Sequence, residues 1–197
     1  AVTGNTRRFG ASFEKIKQVV DVRKGEIMFG LNMIVHKGRT IFVGDTSVHE
    51  YPTSEQMAEM AISTARVVRL FGFDPKVAFV SHSTFGQPLT SRTKHIRSAV
   101  EILKEKKVDF EFDGDMQPDV ALNPEYEELY PFAKIVGKAN ILIMPGQHSA
   151  AISYKLMKTI GDTKVIGPLL IGLGLPIEIA PLRSSTSEIL NLASIAA

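Results

Sequence analysis

Residues Lys76–Pro88, KVAFVSHSTFGQP, decide the fold class. An apolar run from Val77 to Val80 passes straight into a small polar turn of Ser81, His82, Ser83, Thr84, Phe85 and Gly86. Beyond Pro88, in LTSRTKHIRSAVEILKE, Ile96, Ala99, Val100 and Leu103 recur at helical spacing. A buried strand handed to a helix through such a turn is the unit of an open α/β sheet, whose ligands sit at the carboxyl ends of its strands. The hydroxyls of Ser81, Ser83 and Thr84, the Gly86 amide and the free amides of the next helix are groups that hold an anion. The same residue types also make an ordinary βα turn, so the stretch alone leaves both readings open.

Working outward from it, the preceding segment reads as a helix. Thr53 and Gln56 fit a capping box, Met57, Met60, Ala61, Val67, Val68 and Phe71 supply an apolar face, and Gly72 is the stop. Before that, EIMFGLNMIVHKGRTIFVGD holds two apolar runs, Ile27 to Val35 and Ile41 to Val43, joined by His36, Lys37 and Gly38, which predicts a hairpin at the edge of a mixed sheet. The first residues read as the end of a strand near Val2, a turn at Gly4 and a helix around Phe13, Ile16, Val19 and Val20. Lacking a first Met, the chain is expected to come from a longer protein. Downstream, VDFEFDGDM gives a strand ending in an Asp113-Gly114-Asp115 turn, and ALNPEYEELYPFAK gives short helices and turns limited by its prolines. NILIMP is a buried strand leading into a helix that carries Ile152, Leu156 and Ile160. KVIGPLLIGLGLPIEIA supplies broken apolar segments, and a helix capped by Ser185 and Glu188 closes the chain with Ile189, Leu192 and Ile195 on its face. Strands alternating with helices predict an α/β layered fold.

Composition narrows the function classes. The 197 residues are 44% hydrophobic and 22% charged, which suits one substantial core. No apolar run approaches the roughly 18 residues of a membrane span, and AVTGNTRRFG has no signal-peptide pattern. The 23 basic and 21 acidic residues nearly cancel, so no nucleic-acid partner is expected. The absence of cysteine removes thiolate chemistry and leans towards the cytoplasm.

Familiar catalytic patterns are missing. His36, His49, His82, His95 and His148 show no metal-ligand spacing. Ser83 has no nucleophile elbow, and the neighbouring His82 points away from it on an extended segment. There is no GxGxxG for a dinucleotide. What remains is a set of polar strand ends: TGNT (3–6), SHSTFG (81–86), DGD (113–115), PGQHSA (145–150) and IGPLLIG (166–172). Converging, they would line a neutral, donor-rich cleft for a phosphorylated or thioester ligand.

At these residues the chain resembles the phosphotransacetylase family, through VGDTSVHEYPTSEQMAEMA, KVAFVSHSTFG, VDFEFDGDMQPDVAL, ANILIMPGQHSAAISYKL and IGPLLIGL. The resemblance spans the whole chain in order. It implies a three-layer α/β/α fold of the phosphotransacetylase and isocitrate dehydrogenase type, with a mostly parallel, mixed sheet and two domains around a cleft. Residues 1–24 would be a remnant of the first domain, 25–178 the second domain, and 179–197 a helix returning to the first. The cleft residues implied are Thr3, Gly4, Ser81, Ser83, Thr84, Gly86, Asp113, Asn140, Pro145, Ser149, Tyr154, Lys155, Gly167, Arg183 and Ser184, with no metal ligand among them.

The chain departs from that family where acyl transfer needs it. Glu14 stands at the position of a phosphate-binding arginine, Pro181 and Leu182 at a serine and an arginine, and Glu188 at an aspartate. A carboxylate repels phosphate, so no residue is assigned as catalytic. The wording HSTFGQP, KKVDFEFDGDM, YPFAKIVGKAN and MPGQHSAAIS is similar to the phosphotransacetylase-like C-terminal domain of bacterial NADP-dependent malic enzymes. This implies a non-catalytic module that binds acetyl-CoA as an allosteric inhibitor of a malic enzyme domain in the same polypeptide. NADP and a divalent metal would belong to that other domain. A cytoplasmic homodimer or higher homo-oligomer is implied. An active phosphate acyltransferase and a purely structural oligomerisation module are the alternatives.

Overall fold

The computed structural model describes residues 1–197. The strands are β1 (Val2–Gly4), β2 (Phe29–His36), β3 (Arg39–Gly44), β4 (Lys76–Val80), β5 (Glu111–Met116), β6 (Ile141–Ile143), β7 (Thr163–Ile171) and β8 (Glu178–Ala180). The helices are α1 (Phe9–Val19), α2 (Ser54–Leu70), α3 (Ser91–Glu105), α4 (Pro118–Leu122), α5 (Gln147–Ile160) and α6 (Thr186–Ile195), with a 3-10 turn at Pro124–Leu129.

Six strands form one sheet in the order β5-β4-β6-β3-β2-β7, and β1 and β8 pair in parallel as a separate ribbon. Parallel pairing joins β3, β6, β4 and β5, and only β2 runs against both its neighbours. The fold class expected from the sequence is therefore the one observed. The hairpin of β2 and β3 is real, but it does not lie at an edge: β7 pairs along the outer side of β2. The cause is that β2 is apolar on both faces, and Phe29, Leu31, Met33 and Ile34 all need covering.

Alternation along the strands splits the core in two. Val77, Phe79, Ile141 and Ile143 face α2 and α3, where Met57, Met60, Val68, Ile96 and Leu103 meet them. Ala78, Val80 and Leu142 face the opposite layer, with Met116, Val120, Ile135 and Ala150. A smaller cluster of Phe13, Ile16, Val20, Leu170, Leu173 and Ile179 ties α1 and β8 to β7. Capping boxes start α2 at Thr53 and α6 at Ser185, as read from the sequence, and α3 starts with a third, Thr90 with Thr93.

Two expectations change. Asp113 and Gly114 are not a turn after a strand but part of β5, paired with Ala78 and Phe79 of β4, with an irregularity at Asp115 before Met116 meets Val80. Helix α5 forms, yet its apolar residues Ile152, Leu156 and Ile160 are 58%, 53% and 81% exposed, because the sheet is met by the flank that carries Ala150 and Tyr154.

The carboxylate of Asp45, fully buried after β3, gathers the loop that leads to α2. Its Oδ1 accepts from the amides of Gly30, Ser47 and Val48 at 2.9, 2.8 and 3.1 Å, and Oδ2 from the His49 amide at 2.7 Å. Asp45→Ala leaves these amides without an acceptor and is expected to cost roughly 3–5 kcal/mol in urea unfolding. A loss below about 1 kcal/mol would remove Asp45 as the organiser of this junction.

Glu178 joins the ribbon to the main sheet, accepting from the Leu170 amide at 2.9 Å. Burial pushes its carboxyl up from an ordinary 4.5 to about 7, against that hydrogen bond. The folded protein thus holds this proton to higher pH than the unfolded chain does. Its contribution to stability falls as pH rises from about 4.5 through about 7, by up to roughly 3 kcal/mol. Glu178→Gln keeps the acceptor and is expected to raise the urea midpoint at pH 8 while changing it little at pH 5. Destabilisation at pH 8 would contradict this reading.

Candidate functional site

The parallel strands β3, β6 and β4 end on one side of the sheet, and the loops that follow β4 and β6 carry Ser81, Ser83, Thr84, Gly86 and Pro145. The structure does not merge the residues singled out in the sequence into one cleft. It places them on two sides of α5, at a third, inward-facing cluster, and at scattered structural positions.

On one flank of α5 lies a cavity of about 190 Å³ between α5, β7 and α6. Tyr154, Lys155, Gly167 and Ser184 line it, as do Lys158, Pro181 and Glu188. Tyr154 and Lys158 stand one helical turn apart, so both reach the same side. Lys158 Nζ lies 2.9 Å from Glu188 Oε1, an ion pair across the cavity from α5 to α6. Glu188 Oε2 accepts from the Ser185 amide at 2.8 Å, which is half of the α6 capping box. Lys158 first, and then Ser185, hold the Glu188 carboxyl below the usual carboxylate range. Burial pushes the Tyr154 phenol up, so its hydroxyl stays a hydrogen-bond donor. The Lys155 ammonium lies 5.8 Å from the Tyr154 ring centroid. The chemistry on offer is two ammonium groups, a phenol and a serine hydroxyl beside apolar Val165 and Leu192.

On the other flank, beyond the ends of β4 and β6, Ser81, Pro145 and Ser149 line a depression of about 260 Å³ with His82, Arg92 and Ser153. Ser149 Oγ donates to the Gly146 carbonyl at 2.8 Å in the first turn of α5.

The centre of the decisive stretch turns inward instead. Ser83 is fully buried and its hydroxyl donates to the Asp115 carboxylate, while Ser81 Oγ lies 3.3 Å from Ser83 Oγ. Thr84 Oγ1 accepts from the Gln117 amide at 3.2 Å. Ser83 and Thr84 therefore secure β4 to β5 and do not line either cavity. Gly86 packs under the Arg97 guanidinium.

Other expected cleft residues are structural. Asn140 lies at the opposite end of the sheet, where its side chain accepts from the Lys76 amide at 2.8 Å and donates to the Asp74 carbonyl at 2.7 Å. That corrects its assignment: it bridges the starts of β4 and β6. Asp113 accepts from the Gly114 and Lys134 amides at 2.9 and 3.0 Å. Thr3 and Gly4 lie on β1, where Gly4 presses against the Ala180 carbonyl and a Cβ would collide with it. Arg183, in a left-handed turn at φ 63°, is exposed and outside the cavity wall formed by its neighbours Pro181 and Ser184. Glu14 is exposed on α1 and pairs with Lys17 at 2.7 Å, away from the cavity.

Sequence reasoning missed Lys158 as a cavity residue, although its spacing from Tyr154 and Lys155 on one helix was the available signal. Arg92 was missed as well, hidden in an unremarkable helical start. No group of three or more His, Asp or Glu side chains converges as a metal site, and no helix is long and apolar enough to cross a membrane.

The family model for phosphate acetyl/butaryl transferase matches residues 1–197. The chain is 43% identical over 196 residues to an NADP-dependent malic enzyme of Rhizobium meliloti, covering 100% of this chain and 26% of that protein. It is 31% identical over 182 residues to the phosphate acetyltransferase of Bacillus subtilis, covering 91% of this chain and 56% of the relative. A phosphotransacetylase from Streptococcus pyogenes superposes with a TM-score of 0.92 at 29% identity, over 99% of this chain and 60% of that one. The chain thus spans about a quarter of the malic enzymes it matches, and the resemblance read from the sequence is the one these comparisons show.

Proposed function

The chain belongs to the phosphate acetyl/butaryl transferase family, and from that membership we propose that it is the non-catalytic regulatory portion of a larger cytoplasmic NADP-dependent malic enzyme, binding acetyl-CoA as an inhibitor. The ligand's place is the cavity between α5, β7 and α6. Lys155 and Lys158 meet its anionic groups, and Tyr154 and Ser184 offer hydrogen bonds to its thioester and amides.

The observation that carries the reading is the Lys158–Glu188 pair. The carboxylate standing where the family resemblance places a catalytic acid is bound to a lysine and to its own helix cap. Its lowered pKa makes it a poor proton acceptor at neutral pH. Pro181 lines the cavity where a serine would be needed. These features support ligand binding without acyl transfer. NADP and a divalent metal are assigned to the rest of the longer protein, whose malate-oxidising activity this portion would lower when acetyl-CoA is abundant.

Isothermal titration with acetyl-CoA tests the reading. Binding is expected, and Lys158→Ala with Lys155→Ala should weaken it by roughly tenfold or more, at about 1.5–3 kcal/mol for a hydrogen bond to a charged group. In the full-length enzyme acetyl-CoA should lower malate oxidation, and deleting this region should abolish the response. No heat at millimolar ligand would leave only a structural module, and arsenolysis of acetyl-CoA would restore the acyltransferase reading.

Self-association is the second part of the proposal. The outward stripe of Ile152, Leu156 and Ile160 on α5 is uncharged and self-complementary across a two-fold axis, which suits a second copy of the chain. Leu156→Lys is expected to shift the particle to a smaller mass in light scattering. An unchanged mass would place the contact elsewhere.

A further inference from the structure

The flank of α5 away from the cavity carries a different chemistry. Two adjoining depressions, of about 320 and 260 Å³, share Arg92, Ile96 and Pro145 and form one groove beyond the ends of β4 and β6. Neither is lined by an aspartate or a glutamate, whereas the neighbouring depression along α3 sets Glu55, Glu101 and Glu105 beside Lys94 and Arg97. A groove without carboxylates spares an entering anion the repulsion it would meet next door.

Arg92 stands at the meeting point. It takes part in none of the chain's ten ion pairs. Its guanidinium lies 5.3 Å from the ring centroid of Tyr51, a side chain that is 67% exposed. Stacked on a ring, a guanidinium keeps its edge N–H donors free for a phosphate, and its outer face remains a platform for a flat base. The hydroxyls of Ser149 and Ser153 line the same groove. Ser81 is 5% exposed there, and Ser83, which donates to Asp115, lies 3.3 Å from its hydroxyl.

We propose that this groove is a second ligand site, which binds the diphosphate of an adenine nucleotide on Arg92 and the Ser153 hydroxyl and stacks its base at the Arg92–Tyr51 pair. The nucleotide is either free ADP or the nucleotide end of a coenzyme A. The assignment does not rest on the acyl-CoA reading of the cavity, because α5 separates the two places and they share no lining residue.

The test is calorimetric titration of the 197-residue chain with ADP, inorganic pyrophosphate and coenzyme A in turn. ADP is expected to bind more tightly than pyrophosphate. Arg92→Ala should weaken both by at least tenfold, and Arg92→Lys should recover part of the pyrophosphate binding. Tyr51→Ala should weaken ADP and leave pyrophosphate nearly unchanged, a split that loss of folding would not produce. With the cavity's ammonium groups removed by Lys155→Ala and Lys158→Ala together, ADP should still bind and still be weakened by Arg92→Ala. Coenzyme A weakened by Arg92→Ala would identify it as the source of the nucleotide, and coenzyme A indifferent to Arg92 would point to the free nucleotide. The proposal is overturned if ADP does not bind at millimolar concentration. It is equally overturned if Arg92→Ala binds ADP as well as the parent does, or if ADP no longer binds once Lys155→Ala and Lys158→Ala are combined.

Discussion

The buried carboxylate of Asp45 is the constraint from which both cavities take their shape. Taking a charge out of water is costly unless hydrogen bonds replace its hydration, and here four amides and the His49 ring do so. One of those amides belongs to Gly30 near the start of β2, and the others to the loop after β3. The carboxylate therefore locks two antiparallel neighbours together at the sheet end where ligands of such folds bind. The same loop delivers Tyr51 to the groove, and the His49 carbonyl accepts from the amide of Gln147, the first residue of α5. Helix α5 is thus aimed by a chain of contacts that starts at one buried charge.

Once aimed, α5 acts as a partition. Its inner face is small, with Ala150 the sole buried side chain, so the helix lies close against the sheet. Tyr154 and Lys158 fall to one side and Ser149 and Ser153 to the other, as 3.6 residues per turn require. Polar residues that looked like one cleft in the sequence become two sites of unlike character. One is basic and bridged by a carboxylate, and the other is free of carboxylates.

The layered architecture was legible because its signals are local. The continuous apolar runs of β4 and β6, the capping boxes at Thr53 and Ser185, and the runs of β2 and β3 all survive folding unchanged. The position of the hairpin was not legible, since β7 lies more than a hundred residues downstream and nothing in β2 names its outer partner. The site was half legible for a similar reason. A serine in a strand-end turn looks equally free whether or not a carboxylate waits on the next strand. Ser83 meets Asp115, and Asn140 meets the Asp74 carbonyl, through contacts no spacing reveals.

How a ligand in the cavity would be felt elsewhere follows from what crosses between the two sheets. Of the ten ion pairs, only Lys158–Glu188 joins the body of the main sheet to the closing helix. Glu178 makes a second polar tie, from β8 to the Leu170 amide of β7. Apolar contact does the rest, with Ala180 and Leu192 sharing the core of the main sheet. An anion that draws Lys158 to itself competes with Glu188 for the same ammonium, and by reciprocity any shift of α6 that releases Glu188 changes the affinity for that anion. Glu188 keeps its bonds to Ser185 when the lysine leaves, so α6 stays capped as it moves. What changes is the grip of one layer on the other.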